Sequence, residues 1–302
     1  MVQSKQPLFH TLKHGRPHTL FLKHLYEANP DAILIPDCCG MTALQMVCLQ
    51  SYPPYLLATI LELQPNIVLT TNSLWEYVVL PWVNLCKRSK KTTLQNILSQ
   101  DDAKEQWDKL MIVLKTMYYN SKRSHVQNDD DDDDDDDDDE QYDFMELHVA
   151  IELKIPPIVT AFMVPYYTDQ VAKHLSNGKL PLHMVLEHFF FNYNTGEYED
   201  ECKLFLLNQL LETYPKAASI PDKSYYHGNE LPLHMLLKRG NTITEGIKEL
   251  VYAHPDALTI SDNDGLFPFM IAAVKKKAST IDLNTIYFLL RENPVCFPFF
   301  DS

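Results

Sequence analysis

The chain has 302 residues, 45 % of them hydrophobic, enough to bury a core, and a formal net charge of −15. Twelve of those charges lie in one run, Asp129 to Asp139 followed by Glu140; without it the balance is near −3, which leaves no broad basic face for nucleic acid. No apolar stretch reaches the roughly 18 residues of a bilayer span, and no secretory pattern precedes Pro7, so an intracellular chain is expected, cytoplasmic rather than nuclear.

In chain order, Pro7 opens a short helix, since proline suits the first helical position, where its missing N–H has no intrahelical partner. Gly15 then suits a left-handed cap. A second helix follows from Thr19 to Glu27, with Leu22, Leu25 and Tyr26 at helical spacing. Pro30 stops it, and the turn Asp37-x-x-Gly40 delivers the chain to the next short helix near Ala43. Further short helices are expected to start near Val78, Glu146, Pro181, Pro232 and Pro268, most intervals being 35 or 36 residues. Pro181 to Pro232 is longer, consistent with insertions around Asn192 to Asp200 and Ser224 to Gly228, and Val78 to Glu146 holds the acidic run.

The period is carried by an internal match. Shifted by 225 residues, Pro7 to Gly40 lies on Pro232 to Gly265 without a gap, with 15 of 34 positions identical. The expected fold is all-α, a solenoid of about seven stacked helix-turn-helix repeats of roughly 35 residues. Residues 1–120 form its N-terminal repeats, 121–143 a disordered poly-aspartate insertion and 144–302 its C-terminal repeats, in one continuous array.

These segments resemble the ankyrin repeats, whose pattern is Asp-x-x-Gly-x-Thr-Pro-Leu-His-x-Ala. Asn177-Gly178-Lys179-Leu180-Pro181-Leu182-His183 and Asn229 to His234 match it closely. Asp37-x-x-Gly40-x-Thr42-Ala43-Leu44 matches its first half and Leu147-His148-Val149-Ala150 its end, while Asp262 to Ala272 replaces Leu-His by Phe269-Met270. The resemblance implies stacked helix pairs with turns on one side and a non-catalytic role in binding another protein. It also implies that His148, His183 and His234 hydrogen-bond backbone groups of adjacent loops. The period exceeds that of the family, and the Pro-x-Ala turn before each Asp-x-x-Gly is a departure from it.

The partner is expected on the concave, turn-tip face, at Cys38, Cys39, Tyr225, Tyr226, His227, Asn263 and Asp264. The aspartate run could attract basic proteins as an acidic, chaperone-like binder, and a metal-dependent or hydrolytic enzyme with a site in the irregular middle, 74–142, is the remaining alternative. The sequence carries no catalytic constellation, cofactor loop or metal-ligand spacing: the six cysteines form no Cys-x-x-Cys pair, and Gly15 and Pro17 interrupt the His14 and His18 spacing. His10, His14, His18 and His24 are read as surface groups. Lys87 to Lys91 is read as a solvated loop, and most aromatic clusters, such as Phe189 to Phe191, as core. Phe297 to Phe300 could cap the end of the array.

Overall fold

The computed structural model describes residues 7–14, 18–49, 52–65, 78–88, 97–99, 101–126, 144–175, 177–190, 197–224, 230–238, 244–274 and 283–293. The regular structure among these residues is helical; no strand occurs among them, and an isolated antiparallel bridge joins Asp222 and Glu230. The aspartate run lies outside the described residues, as do Gly15, Gly240 and the C-terminal phenylalanines. The chain forms two compact units, Met1–Val149 and Ala150–Ser302.

In the first unit, α1 (Pro7–His14) packs on α2 (Thr19–Ala28) and on α3 (Ala43–Leu49), and α2 packs on α4 (Pro54–Leu63). Pro7 and Pro54 occupy first helical positions, and the His18 imidazole caps α2 by accepting the Leu20 N–H at 3.4 Å. A 3₁₀ turn, Pro30–Ile33, closes α2 and buries Ala32 and Ile33.

The middle of the chain is more regular than its sequence motifs indicate. After α5 (Leu80–Arg88) comes α6 (Asp101–Val126), a helix of 26 residues inside the stretch expected to be irregular. Its buried residues Ala103, Trp107, Leu110, Leu114 and Tyr118 recur at three- and four-residue spacing and form one apolar stripe. Trp107 meets Trp82 of α5 edge to face, with centroids 5.0 Å apart, and α6 packs on α4. The helix therefore comes from apolar periodicity, with no repeat motif to announce it.

The helix α7 (Glu146–Glu152) spans the division between the units. The second unit continues with α8 (Pro157–Met163), α9 (Thr168–Val171), α10 (Pro181–His188) and α11 (Glu197–Thr213). After a 3₁₀ turn, Pro215–Ser219, come α12 (Pro232–Lys238) and α13 (Thr244–Ala253). A further 3₁₀ turn, Pro255–Thr259, precedes α14 (Pro268–Val274) and α15 (Leu283–Arg291). Within this unit α12 packs on α10 and on α14, while α11 packs on α8 and on α13. The helices that open at Pro181, Pro232 and Pro268 thus pack on one another in series, and α8, α11 and α13 form a second series.

The short helices owe their position to burial. Pro181 to Leu186 and Pro232 to Leu237 are buried throughout, and each fully buried leucine contributes about 1.5–3 kcal/mol relative to exposure. Phe189 and Phe190 are core residues, as expected.

The internal match holds at the level of elements. Shifted by 225 residues, α2 falls on α13 and α3 on α14 with identical bounds, and α1 starts where α12 does. Both second helices end on the same bond, Asn29 N–H to the Leu25 carbonyl and His254 N–H to the Leu250 carbonyl, each 3.0 Å.

Candidate functional site

The loops ahead of α3, α10, α12 and α14 are each closed by one backbone bond. Asp37 N–H donates to the Met41 carbonyl at 2.8 Å, Leu175 N–H to Lys179 at 2.9 Å, Asp222 N–H to Glu230 at 2.9 Å and Asp262 N–H to Leu266 at 2.9 Å. The bonds of Asp37 and Asp262 each enclose three residues, and between Asp222 and Glu230 residues 225–229 lie outside the described residues.

Aspartate at the loop start adds a side-chain brace. Asp37 Oδ1 accepts from the N–H groups of Cys39 (2.8 Å) and Met41 (3.0 Å). Asp262 Oδ1 accepts from Asp264 (2.9 Å) and Leu266 (2.8 Å), and Asp222 Oδ1 from Ser224 (2.8 Å). Short Asx side chains make such bonds because their oxygen reaches the amide two residues on. The turn then needs a left-handed residue, supplied by Gly40 at φ +81° and Gly265 at φ +77°.

Histidines tie short helices to the following loop. His183 Nε2 hydrogen-bonds the Ile220 carbonyl at 2.8 Å and His234 Nε2 the Ile260 carbonyl at 3.0 Å; His183 Nδ1 also accepts the Leu180 N–H at 3.2 Å. For His183 and His234 this is the bonding expected of them. Burial lowers the pKa of both imidazoles, only partly offset by the carbonyl bonds and by Asp222 or Asp262, so both are neutral at pH 7.

A charged clasp joins each of two loops to the end of its own short helix. Lys179 pairs with Glu187, and Glu230 pairs with Lys238, the same two positions with the charges exchanged. Each pair spans eight residues, a separation at which neither local propensity nor helical spacing announces a contact. Lys238 also reaches Asp262 (2.9 Å) and Asp264 (3.3 Å) of the next loop. Burial alone would lower the Lys238 pKa, but its bonds to Glu230 and Asp262 prevail and raise it. Burial likewise pulls the Asp262 carboxyl up, and Lys238 with the Leu266 and Asp264 amides more than reverses it, holding it below the usual range.

The expected partner-binding residues fall at loop tips where the structure describes them. Cys38 and Cys39 are exposed at the tip of the first loop, with sulfurs 3.9 Å apart, and Asn263 and Asp264 are exposed at the tip of the last. Tyr225, Tyr226 and His227 lie outside the described residues. His10, His18 and His24 are exposed, and Lys87 and Arg88 close α5. Burial pushes the Cys48 and Cys86 thiols up to about 12, which keeps both protonated at neutral pH.

Compared with known proteins, the chain matches no family model, no curated protein and no solved structure.

Proposed function

We propose that the chain is a non-catalytic protein-interaction scaffold, an α-helical solenoid of ankyrin-like repeats that holds a protein partner on its turn-tip face. The carrying observation is that the first and last described loops are closed by the same backbone and Asp Oδ1 bonds while their exposed tips differ, Cys38-Cys39 in one and Asn263-Asp264 in the other. A fixed frame with variable exposed residues is what recognition of a surface requires, because the tip changes without disturbing the helices beneath it. The histidines of the short helices support the same reading, being committed to backbone carbonyls.

The test combines substitution with binding. Replacing Cys38, Cys39, Asn263 and Asp264 together by alanine is expected to weaken the partner captured by the full chain at least tenfold while costing about 1 kcal/mol of stability or less, the worth of an exposed ion pair such as Lys238 with Asp264. An identical set of captured proteins at identical affinity would overturn the assignment of the face. Deleting 129–140 in parallel separates this reading from capture of basic proteins by the acidic run, which high salt also weakens.

A further inference from the structure

We propose that the first loop is a binding site for a single thiophilic divalent metal ion with a filled d shell, of the zinc and cadmium class, held by the thiolates of Cys38 and Cys39 and the carboxylate of Asp37. One Sγ from each cysteine and a carboxylate oxygen of Asp37 all lie within 4.8 Å of one another. The two sulfurs are 3.9 Å apart, and two thiolates bound at about 2.3 Å with a tetrahedral angle between them are separated by roughly 3.8 Å. The donor pair therefore already spans one edge of the coordination tetrahedron. Two soft sulfurs select zinc, cadmium or a similar ion over magnesium or calcium.

The loop also preorganises its third donor. Asp37 Oδ1 is held by the Cys39 and Met41 amides, which aims the carboxylate at the same tip, while the Asp37–Met41 closure and the left-handed Gly40 fix the backbone between the donors. Binding displaces one proton from each thiol, so two protons leave per ion, and the bound ion keeps an open position for water or for a group from a partner. Such a set falls outside Cys-x-x-Cys spacing because the cysteines are adjacent and the oxygen comes from the residue before them. The last loop has the same frame but carries Asn263 and Asp264 at its tip, and the Lys238 ammonium already sits against Asp262 and Asp264.

Titrating the reduced full chain with cadmium is expected to give one equivalent bound, a thiolate-to-cadmium charge-transfer band in the ultraviolet and release of two protons per ion. The double variant Cys38→Ser/Cys39→Ser should lose the band and keep its helical spectrum and melting temperature, because both side chains are exposed. Asp37→Asn retains an acceptor for the two amides and should weaken cadmium about tenfold while leaving the band. A double variant with undiminished band and affinity would overturn the proposal, as would a wild-type chain that shows no band at equimolar metal; undiminished affinity in Asp37→Asn would remove the carboxylate from the donor set.

Discussion

Two loops 225 residues apart, Asp37 to Gly40 and Asp262 to Gly265, are closed by the same hydrogen bonds and carry opposite chemistry. One presents a pair of thiols; the other presents an amide and a carboxylate gripped by a lysine. The difference separates the residues that make a repeat from those that distinguish one repeat from the next. Aspartate and glycine belong to the frame, since the first satisfies two amides and the second adopts a backbone that other residues resist. Tip residues are exposed, and there the two copies diverge.

If the two copies are equivalent in their packing, their largest common response is to loss of core. Leu12 and Leu237 occupy the same position and both are fully buried, so each alanine substitution should cost about 2–5 kcal/mol in urea unfolding. A much smaller loss at one of them would break the equivalence. The next effect probes the clasp that the charge exchange defines. Lys179→Glu sets two carboxylates together at a mostly buried position and should cost about 2 kcal/mol, and adding Glu187→Lys should return more than half of that. No return in the double variant would show that the pair does not act as a unit.

A smaller effect tests the turn itself. Gly40→Ala and Gly265→Ala meet no atom within 4 Å, so the cost is conformational alone, about 1 kcal/mol at each, and equal in the two loops. The smallest effect concerns pH and sets the copies apart, because Phe9 stands in the first where His234 stands in the second. The folded pKa values of His183 and His234 lie below 6.5, so the unfolded chain takes up protons first. Their contribution is complete above about pH 6.5 and is lost as pH falls through that value toward the folded pKa. Unfolding free energy measured from pH 7.5 to 5 should decline on the acid side, less steeply in His234→Phe; an unchanged slope would assign the decline elsewhere. Asp262, with its carboxyl held low, acts in a separate window, losing its contribution only below about pH 3.8.

Much of the local structure was legible because it depends on neighbours in sequence. Proline at 7, 181, 232 and 268 marks helix starts through its fixed φ and missing N–H, and the helices begin at those residues. Asp37 with Gly40, and Asp262 with Gly265, mark their turns for equally local reasons, and Thr19 to Glu27 announces α2 by apolar spacing. The helix α6 is announced by the spacing of Trp107, Leu110, Leu114 and Tyr118 alone, since it carries no repeat motif.

By itself the sequence determined the helical class, the starts of the short helices, the duplicated frame at a 225-residue offset and the aspartate and glycine that shape its turns. Only the tertiary structure decided that His183 and His234 meet the carbonyls of Ile220 and Ile260, that Lys179 with Glu187 and Glu230 with Lys238 form one clasp of exchanged charge, and that Trp82 meets Trp107. The reason is range. Dihedral preference and helical period act over a few residues and are written into composition and spacing. A hydrogen bond from His183 to a carbonyl 37 residues away exists only after the intervening helix has returned the chain to it.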